Sequence, residues 1–123
     1  MPRCQDLPAG ARVTLEEMEQ WKDEFTVGVL VISYPWLDAD HPDKDGLQLR
    51  AISHVLKIFD KHAKEEYGAG CKVGVFLDYV SMPQRSRGSA EDDRTPEELA
   101  TFGKALKAIN TWYAHPKTHV LLV

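Results

Sequence analysis

The sequence has little of several features that would assign it to a particular class of protein. It holds only two cysteines, Cys4 and Cys71, which form neither a disulfide framework nor a CxxC metal pair. It contains no apolar run long enough to span a bilayer and no signal peptide, so we expect a cytoplasmic protein without a membrane partner. It also lacks a basic stripe, and its net charge of −4 is not that of a nucleic-acid-binding protein.

The composition that remains is typical of one globular domain, with 43% hydrophobic and 28% charged residues in a chain of 123. We divide the chain into an N-terminal lead-in with a short helix over residues 1–26 and an α/β domain over residues 27–123. Met1 to Arg12 has no periodicity and is expected to be extended. Thr14 and Glu17 form a capping box, which predicts a helix that runs to about Trp21.

Apolar patterns in the rest of the chain alternate between strand and helix. Runs that are apolar on both faces are typical of buried parallel strands, and a period near 3.6 residues is typical of helices. The predicted elements are a strand over Val27–Ile32, a helix over Leu47–Ala63, a strand over Val73–Tyr79, a helix after Thr95 and a strand over His119–Val123.

The second long helix has the clearest start in the sequence. Thr95 and Glu98 form another capping box, and Pro96 occupies the first turn, where its missing N–H costs nothing. We expect Pro116 to stop this helix. Its expected buried face consists of Leu99, Phe102, Leu106, Ile109 and Tyr113.

This order of elements predicts an α/β fold with a parallel sheet and right-handed crossovers. The first strand is the most apolar, so we place it in the middle, in the strand order 2-1-3. That order puts helices on both faces of the sheet and gives three layers. The third strand would then leave an open apolar edge, so we expect the natural domain to continue beyond Val123.

Two groups of residues lie where open α/β sheets bind their ligands, at the carboxyl ends of the strands. Ser33, Tyr34 and Trp36 follow the first strand, where backbone amides could hold a phosphate and the indole could stack on a base. The alternative is that the two aromatic side chains cap the core.

Asp78 and Gln84 bracket the loop after the second strand. These two residues are also candidates for ligand binding. The alternative for Asp78 is a structural role, in which its carboxylate accepts hydrogen bonds from the amides of residues 80–82 or from a hydroxyl of Ser33 or Tyr34.

No metal site is expected from the sequence. The acidic loop from Asp38 to Gly46 misses the EF-hand register, because Gly46 at position six would put His41 at position one and Ile52 at position twelve. A loop that caps the next helix explains the same acids. Neither cysteine has a partnered histidine and no serine lies in a G-x-S-x-G elbow, so the catalytic residues are unknown.

Three short blocks resemble the fungal heterokaryon-incompatibility (HET) domain, a distant relative of the Toll/interleukin-1 receptor (TIR) fold. The first runs from Ile32 to Trp36 and contains Ser33-Tyr34-Pro35-Trp36, the second runs from Phe76 to Gln84, and the third is Asn110-Thr111-Trp112-Tyr113 near a helix end. The chain departs from the family pattern at Leu37, where glycine is usual, and at Ser81-Met82, where the family commonly has a cysteine-isoleucine pair.

The resemblance implies a TIR- or flavodoxin-like fold and a signalling or scaffold module that acts by self-association and protein–protein contacts, in a self/non-self or stress response. The open edge of the third strand and the helix from Glu97 are the expected surfaces. The enzymatic alternative is a nucleotide-binding, NAD-cleaving domain. Enzymatic members of the TIR fold use a glutamate on the helix after the third strand, so we expect no cofactor and no NAD cleavage within these residues.

Overall fold

The computed structural model of the protein describes residues 1–24, 28–39, 41–86 and 90–123, without the side chains of residues 21–24. After a 3₁₀ turn at Cys4–Asp6, the elements are α1 (Leu15–Glu24), β1 (Val29–Ser33), α2 (Leu47–Tyr67), β2 (Gly74–Leu77), α3 (Asp78–Ser81), α4 (Pro96–Ala114) and β3 (Thr118–Leu122). The predicted order is confirmed. Val27, the expected first residue of the first strand, lies outside the described residues.

The three strands form one parallel sheet in the order β2-β1-β3, as predicted. In the register of the sheet, Val31 of β1 lies between Phe76 of β2 and Val120 of β3. Side chains alternate along a strand, so these three share one face of the sheet. Leu30 and Ile32 therefore point to the other face.

Helix α2 covers the face that carries Leu30 and Ile32. Ile52 is fully buried and forms the core there with Leu77, while Leu56 and Phe59 pack at its margin. The helix predicted over Leu47–Ala63 is thus confirmed, and Ile52, Leu56 and Phe59 form the face that packs on the sheet. Gly68 ends the helix with a φ of 99°, a conformation that favours glycine, and its N–H bonds to Lys64 O.

Helix α4 covers the opposite face. The indole of Trp112 stacks on Phe76, with ring centroids 5.5 Å apart and planes 11° from parallel. Both arms of the predicted capping box are present, because Thr95 Oγ1 accepts from Glu98 N–H at 3.1 Å and Glu98 Oε2 accepts from Thr95 N–H at 2.8 Å. Helices on both faces confirm the three-layer α/β arrangement.

The buried face predicted for α4 is wrong for three of its five residues. Leu99, Leu106 and Tyr113 are 41%, 46% and 39% exposed, and α4 contains no fully buried side chain. The half-buried positions, listed along the helix, are Glu98, Phe102, Gly103, Ala105, Ile109 and Trp112. The apolar stripe of α4 is wider than the face that the sheet covers, and the sequence pattern cannot say which side stays uncovered.

Two other expectations need correction. Asp78 and Tyr79 were expected to continue β2, but they begin the one-turn helix α3. Met82 N–H closes this turn by bonding to Asp78 O at 3.1 Å. The lead-in from Met1 to Arg12 is not simply extended, because it contains the 3₁₀ turn and packs at the carboxyl end of the sheet.

A substitution at Gly28 tests the close approach between the residue before β1 and the residue before β3. A Cβ atom there would lie 2.5 Å from Lys117 O, the carbonyl that accepts from Val29 N–H. We expect Gly28→Ala to lower the free energy of unfolding by about 1–3 kcal/mol, because a rigid backbone atom must move.

Gly103→Ala is the matched control for this substitution. Its Cβ would meet nothing within 4 Å, so we expect it to raise the free energy of unfolding by up to about 1 kcal/mol through helix propensity. Urea unfolding of both variants measures the difference. Equal effects at the two positions would contradict the close approach of Gly28 to Lys117.

Candidate functional site

The carboxyl end of the sheet brings together three of the five residues that the sequence singled out. The ring centroid of Trp36 lies 5.9 Å from that of Tyr79, in an edge-on contact. The hydroxyl of Tyr34 is hydrogen-bonded to the side chain of Asp78. Tyr34, Trp36 and Asp78, together with Tyr79, are called the carboxyl-end cluster below.

Tyr34 is held in its neutral form by this cluster. Burial raises the pKa of its hydroxyl, and the charge of Asp78 and the hydrogen bond to it raise the pKa further. The Tyr79 N–H acts in the opposite direction but does not outweigh them. The hydroxyl also lies 3.4 Å from Met1 Sδ. Tyr34 is therefore a hydrogen-bonded structural group at neutral pH.

Asp78 has the kind of role that its structural alternative describes, with one expected donor, the Tyr34 hydroxyl, and one unexpected donor, the Tyr79 N–H. Its carboxylate accepts from Tyr79 N–H at 2.6 Å and from the Tyr34 hydroxyl, rather than from the amides of residues 80–82. The amide donor differs because α3 begins at Asp78 and directs the later amides elsewhere. Ser81 completes the turn, since its Oγ accepts from Leu77 N–H at 3.0 Å.

The other two candidates are held by backbone contacts. Ser33 O accepts from Val123 N–H at 3.0 Å, so Ser33 belongs to the pairing of β1 with β3. Gln84 is held by Gln5, whose Oε1 accepts from Gln84 N–H at 3.1 Å and whose Nε2 donates to Gln84 O at 2.8 Å. These bonds do not give the side chain of either residue a place in the cluster.

The N-terminal segment lies across this end of the sheet, which the sequence did not predict. Arg3 ties it to the loop before α4 by donating to Ser86 Oγ at 2.9 Å and to Asp93 Oδ2 at 3.0 Å. Hydrogen bonds to Asp6 and Asp93 raise the pKa of the Arg3 guanidinium, so its charge is permanent. Contacts between residues 80 to 90 positions apart leave no periodic signal in a sequence.

His41 and Asp43 connect this segment to α2. The N–H of Asp43 donates to His41 Nδ1 at 2.9 Å, which makes Nε2 the protonated nitrogen that donates to Met1 O at 3.1 Å. The imidazole packs on Tyr79 with ring centroids 4.8 Å apart. His41 thus links the N-terminal segment to the carboxyl-end cluster, and nothing in its sequence context signalled this.

Asp43 caps the first turn of α2, which is the role that the sequence predicts for the acidic loop. It is fully buried, and its carboxylate accepts from Gln48 N–H at 3.0 Å and Leu49 N–H at 2.8 Å. Burial raises the pKa of this carboxyl, but the amides of Leu49 and Gln48, the charge of the N-terminal ammonium group and the amide of Leu47 together outweigh burial and hold the pKa below its ordinary value. Within the described residues, no group of three His, Cys, Asp or Glu side chains could hold a metal ion.

A second candidate surface lies at the β3 edge of the sheet. Lys117 O accepts from Val29 N–H at 3.2 Å and Val123 N–H donates to Ser33 O, so the odd-numbered residues of this strand bond to β1. Backbone polar groups alternate between the two edges of a strand. Those of Val120 and Leu122 therefore point to the open edge, where no described strand pairs with them.

Exposed apolar side chains border this open edge. Val120 and Leu122 lie on the α4 face, and Leu122 is 78% exposed. On α4, the exposed stripe repeats every seven residues and lies about a quarter-turn from the residues that face the sheet. Together these residues form the β3–α4 surface, which consists of Leu99, Leu106, Tyr113, Val120 and Leu122.

The position of α1 shows which way this stripe faces. A cavity of about 430 Å³ separates α1 from α4 at the amino end of the sheet, and Met18, Thr111 and Trp112 line it. Glu17 of α1 forms a salt bridge with Lys72, just before β2, and Trp112 of α4 stacks on Phe76 of β2. α1 and this flank of α4 therefore lie on the β2 side, and the opposite flank of α4, with its exposed stripe, faces the β3 edge.

The lowered pKa of Asp43 predicts how the stability of the folded protein depends on pH. Its pKa in the folded protein lies below the unfolded value of about 3.9, so its stabilisation is complete above that pH and lost as pH falls through the folded-state pKa. We expect Asp43→Ala to cost about 1–3 kcal/mol at pH 7, because buried helix amides lose their acceptor.

The Asp43→Asn variant is the control, because it keeps an acceptor oxygen but cannot titrate. Urea unfolding between pH 6 and pH 3, as a rough range around this pKa, should show a shallower loss of stability in Asp43→Asn than in the natural sequence. The same pH dependence in both proteins would show that Asp43 is not a stabilising carboxylate.

No protein-family model, curated protein or solved structure matches this chain. None of the helices among the described residues is long and apolar enough to cross a membrane. The likeness to HET domains therefore stays a prediction that rests on the short blocks at Ile32–Trp36, Phe76–Gln84 and Asn110–Tyr113. The carboxyl-end cluster and the β3–α4 surface are the two features of the structure that bear on function.

Proposed function

We propose that this chain is a HET/TIR-like signalling or scaffold module that acts by self-association and contacts with other proteins. The observation that carries the proposal is the β3–α4 surface. It combines a strand edge, on which no described residue pairs with the backbone groups of Val120 and Leu122, with a helix flank that carries exposed leucine and tyrosine side chains. Stable monomers usually protect such an edge with charge, proline or a covering element.

The sequence of β3 has none of these protections. Thr118 to Val123 contains one histidine, no lysine, no acidic residue and no proline. A strand edge of this kind offers main-chain hydrogen bonds, and the neighbouring side chains supply apolar contact area. Recognition of another polypeptide fits this combination of groups.

The carboxyl-end cluster gives less support to the nucleotide-binding, NAD-cleaving alternative. A nucleotide would need free donors at the strand ends, but the Tyr34 hydroxyl and Tyr79 N–H already donate to Asp78. The N–H groups of Gln48 and Leu49 likewise already donate to the carboxylate of Asp43. One observation favours the alternative, because a buried acceptor without a partner is a group that a ligand donor would satisfy. Gln48 Oε1 is such an acceptor, and Nε2 of the same side chain donates to Pro35 O in the Ser-Tyr-Pro-Trp block.

Leu122→Lys tests the proposal. Its side chain is 78% exposed, so the substitution should leave folding unchanged, but it places a charge on the open edge. In sedimentation velocity over a range of protein concentrations, we expect the natural sequence to self-associate. We expect the variant to raise the Kd of self-association at least about tenfold.

Leu37→Lys is the matched control, because Leu37 is 60% exposed but follows Trp36, which contacts Tyr79 on the β2 side. This variant should associate like the natural sequence. A monomer at every concentration would contradict self-association. Association that requires added NAD would favour the nucleotide-binding alternative.

A further inference from the structure

The unpaired groups on β3 restrict how a second polypeptide can add to this edge. Only residues of β3 whose N–H and C=O point away from β1 can bond to the second polypeptide. These residues are Thr118, Val120 and Leu122. Thr118 N–H is already taken, because it donates to His115 O at 3.0 Å in the turn that leads into the strand. Within the part of the chain that the structure describes, both polar groups of Val120 and of Leu122 therefore remain for a partner strand.

We propose that the partner is a second copy of this chain, paired antiparallel through β3 about a two-fold axis that passes beside Leu121. This inference rests on the proposed function and specifies its geometry. In this register Val120 of one copy faces Leu122 of the other, and every outward N–H and C=O of these residues finds a partner. The two sheets join into one that is continuous across the dimer.

The neighbouring register about Val120 is less favourable. It would place Leu122 opposite Thr118 of the second copy, whose N–H is already bonded to His115 O. The carbonyl of Leu122 would then lack a donor. The backbone hydrogen bonds thus select the axis at Leu121.

The α4 helices support the same symmetry. An axis perpendicular to the joined sheet places the two copies of α4 on one face, side by side and antiparallel, with their exposed flanks towards each other. Leu99, Leu106 and Tyr113 would be covered by this arrangement.

The charges along α4 are complementary to themselves in the antiparallel direction. Within α4, Glu97 and Glu98 lie in the first turn, whereas Lys104 and Lys107 are the only charged residues from Leu99 to Ala114. Antiparallel copies bring the acidic end of one helix towards the basic part of the other, and their helix dipoles also oppose favourably. A parallel arrangement would put like charges together.

A cysteine pair tests this geometry. In the proposed register His119 of one copy lies opposite Val123 of the other, in a non-hydrogen-bonded pair with Cα atoms about 4.5 Å apart, which is within disulfide range. Both side chains are exposed. The double variant His119→Cys/Val123→Cys should form a disulfide-linked dimer under mild oxidation, with at least about ten times the yield of either single variant.

The single variants are the controls, because two copies of the same position would lie about four residues of strand, or roughly 13 Å, apart. Mixing the two single variants in equal amounts should restore the crosslink, which provides the same test if the double variant folds poorly. Non-reducing electrophoresis measures the yield, with the natural sequence as the blank for Cys4 and Cys71.

The possible outcomes separate this inference from the proposed function. Crosslinking in the double variant and in the mixture, but not in either single variant alone, supports the pairing about Leu121. Self-association in solution without this crosslink overturns the pairing and leaves the proposed function standing. Absence of self-association in the natural sequence overturns both.

Discussion

Strand β1 carries hydrogen bonds on both of its edges and apolar side chains on both of its faces. Leu30 and Ile32 require a cover on one face and Val31 requires one on the other, so α2 and α4 must lie on opposite sides of the sheet. Its two edges are met by β2 and β3. As a result β3 lies at the edge of the sheet. It pairs with β1 on one side, and no described strand pairs with it on the other.

The carboxyl end of the sheet and the β3–α4 surface differ in how completely their polar groups are hydrogen-bonded. At the carboxyl end of the sheet, the N-terminal segment, His41 and Asp43 bond to one another and to the start of α2, so this region holds the loops together. On the β3–α4 surface, backbone groups and apolar side chains remain uncovered. Recognition is expected where contacts are still available, and this contrast favours association over ligand chemistry.

Local sequence patterns predicted the fold well, because the formation of strands and helices depends mainly on residues that are close together in the sequence. The apolar run in β1 placed it in the centre, and the Thr95–Glu98 capping box located the start of α4. The side of α4 that stays exposed could not be predicted. Periodicity identifies an apolar stripe on a helix, but it does not show how much of that stripe the sheet covers. His41 and Met1 were missed at the carboxyl end because their contact joins residues 40 positions apart.

Hydrogen exchange of the β3 amides tests most directly whether the open edge is the site of self-association. His119 and Leu121 bond to β1, so their amides should exchange slowly at every protein concentration. The amides of Val120 and Leu122 should exchange fast in dilute solution and slow down as the protein is concentrated. Fast exchange of these two amides in a sample shown to be associated would contradict the use of this edge.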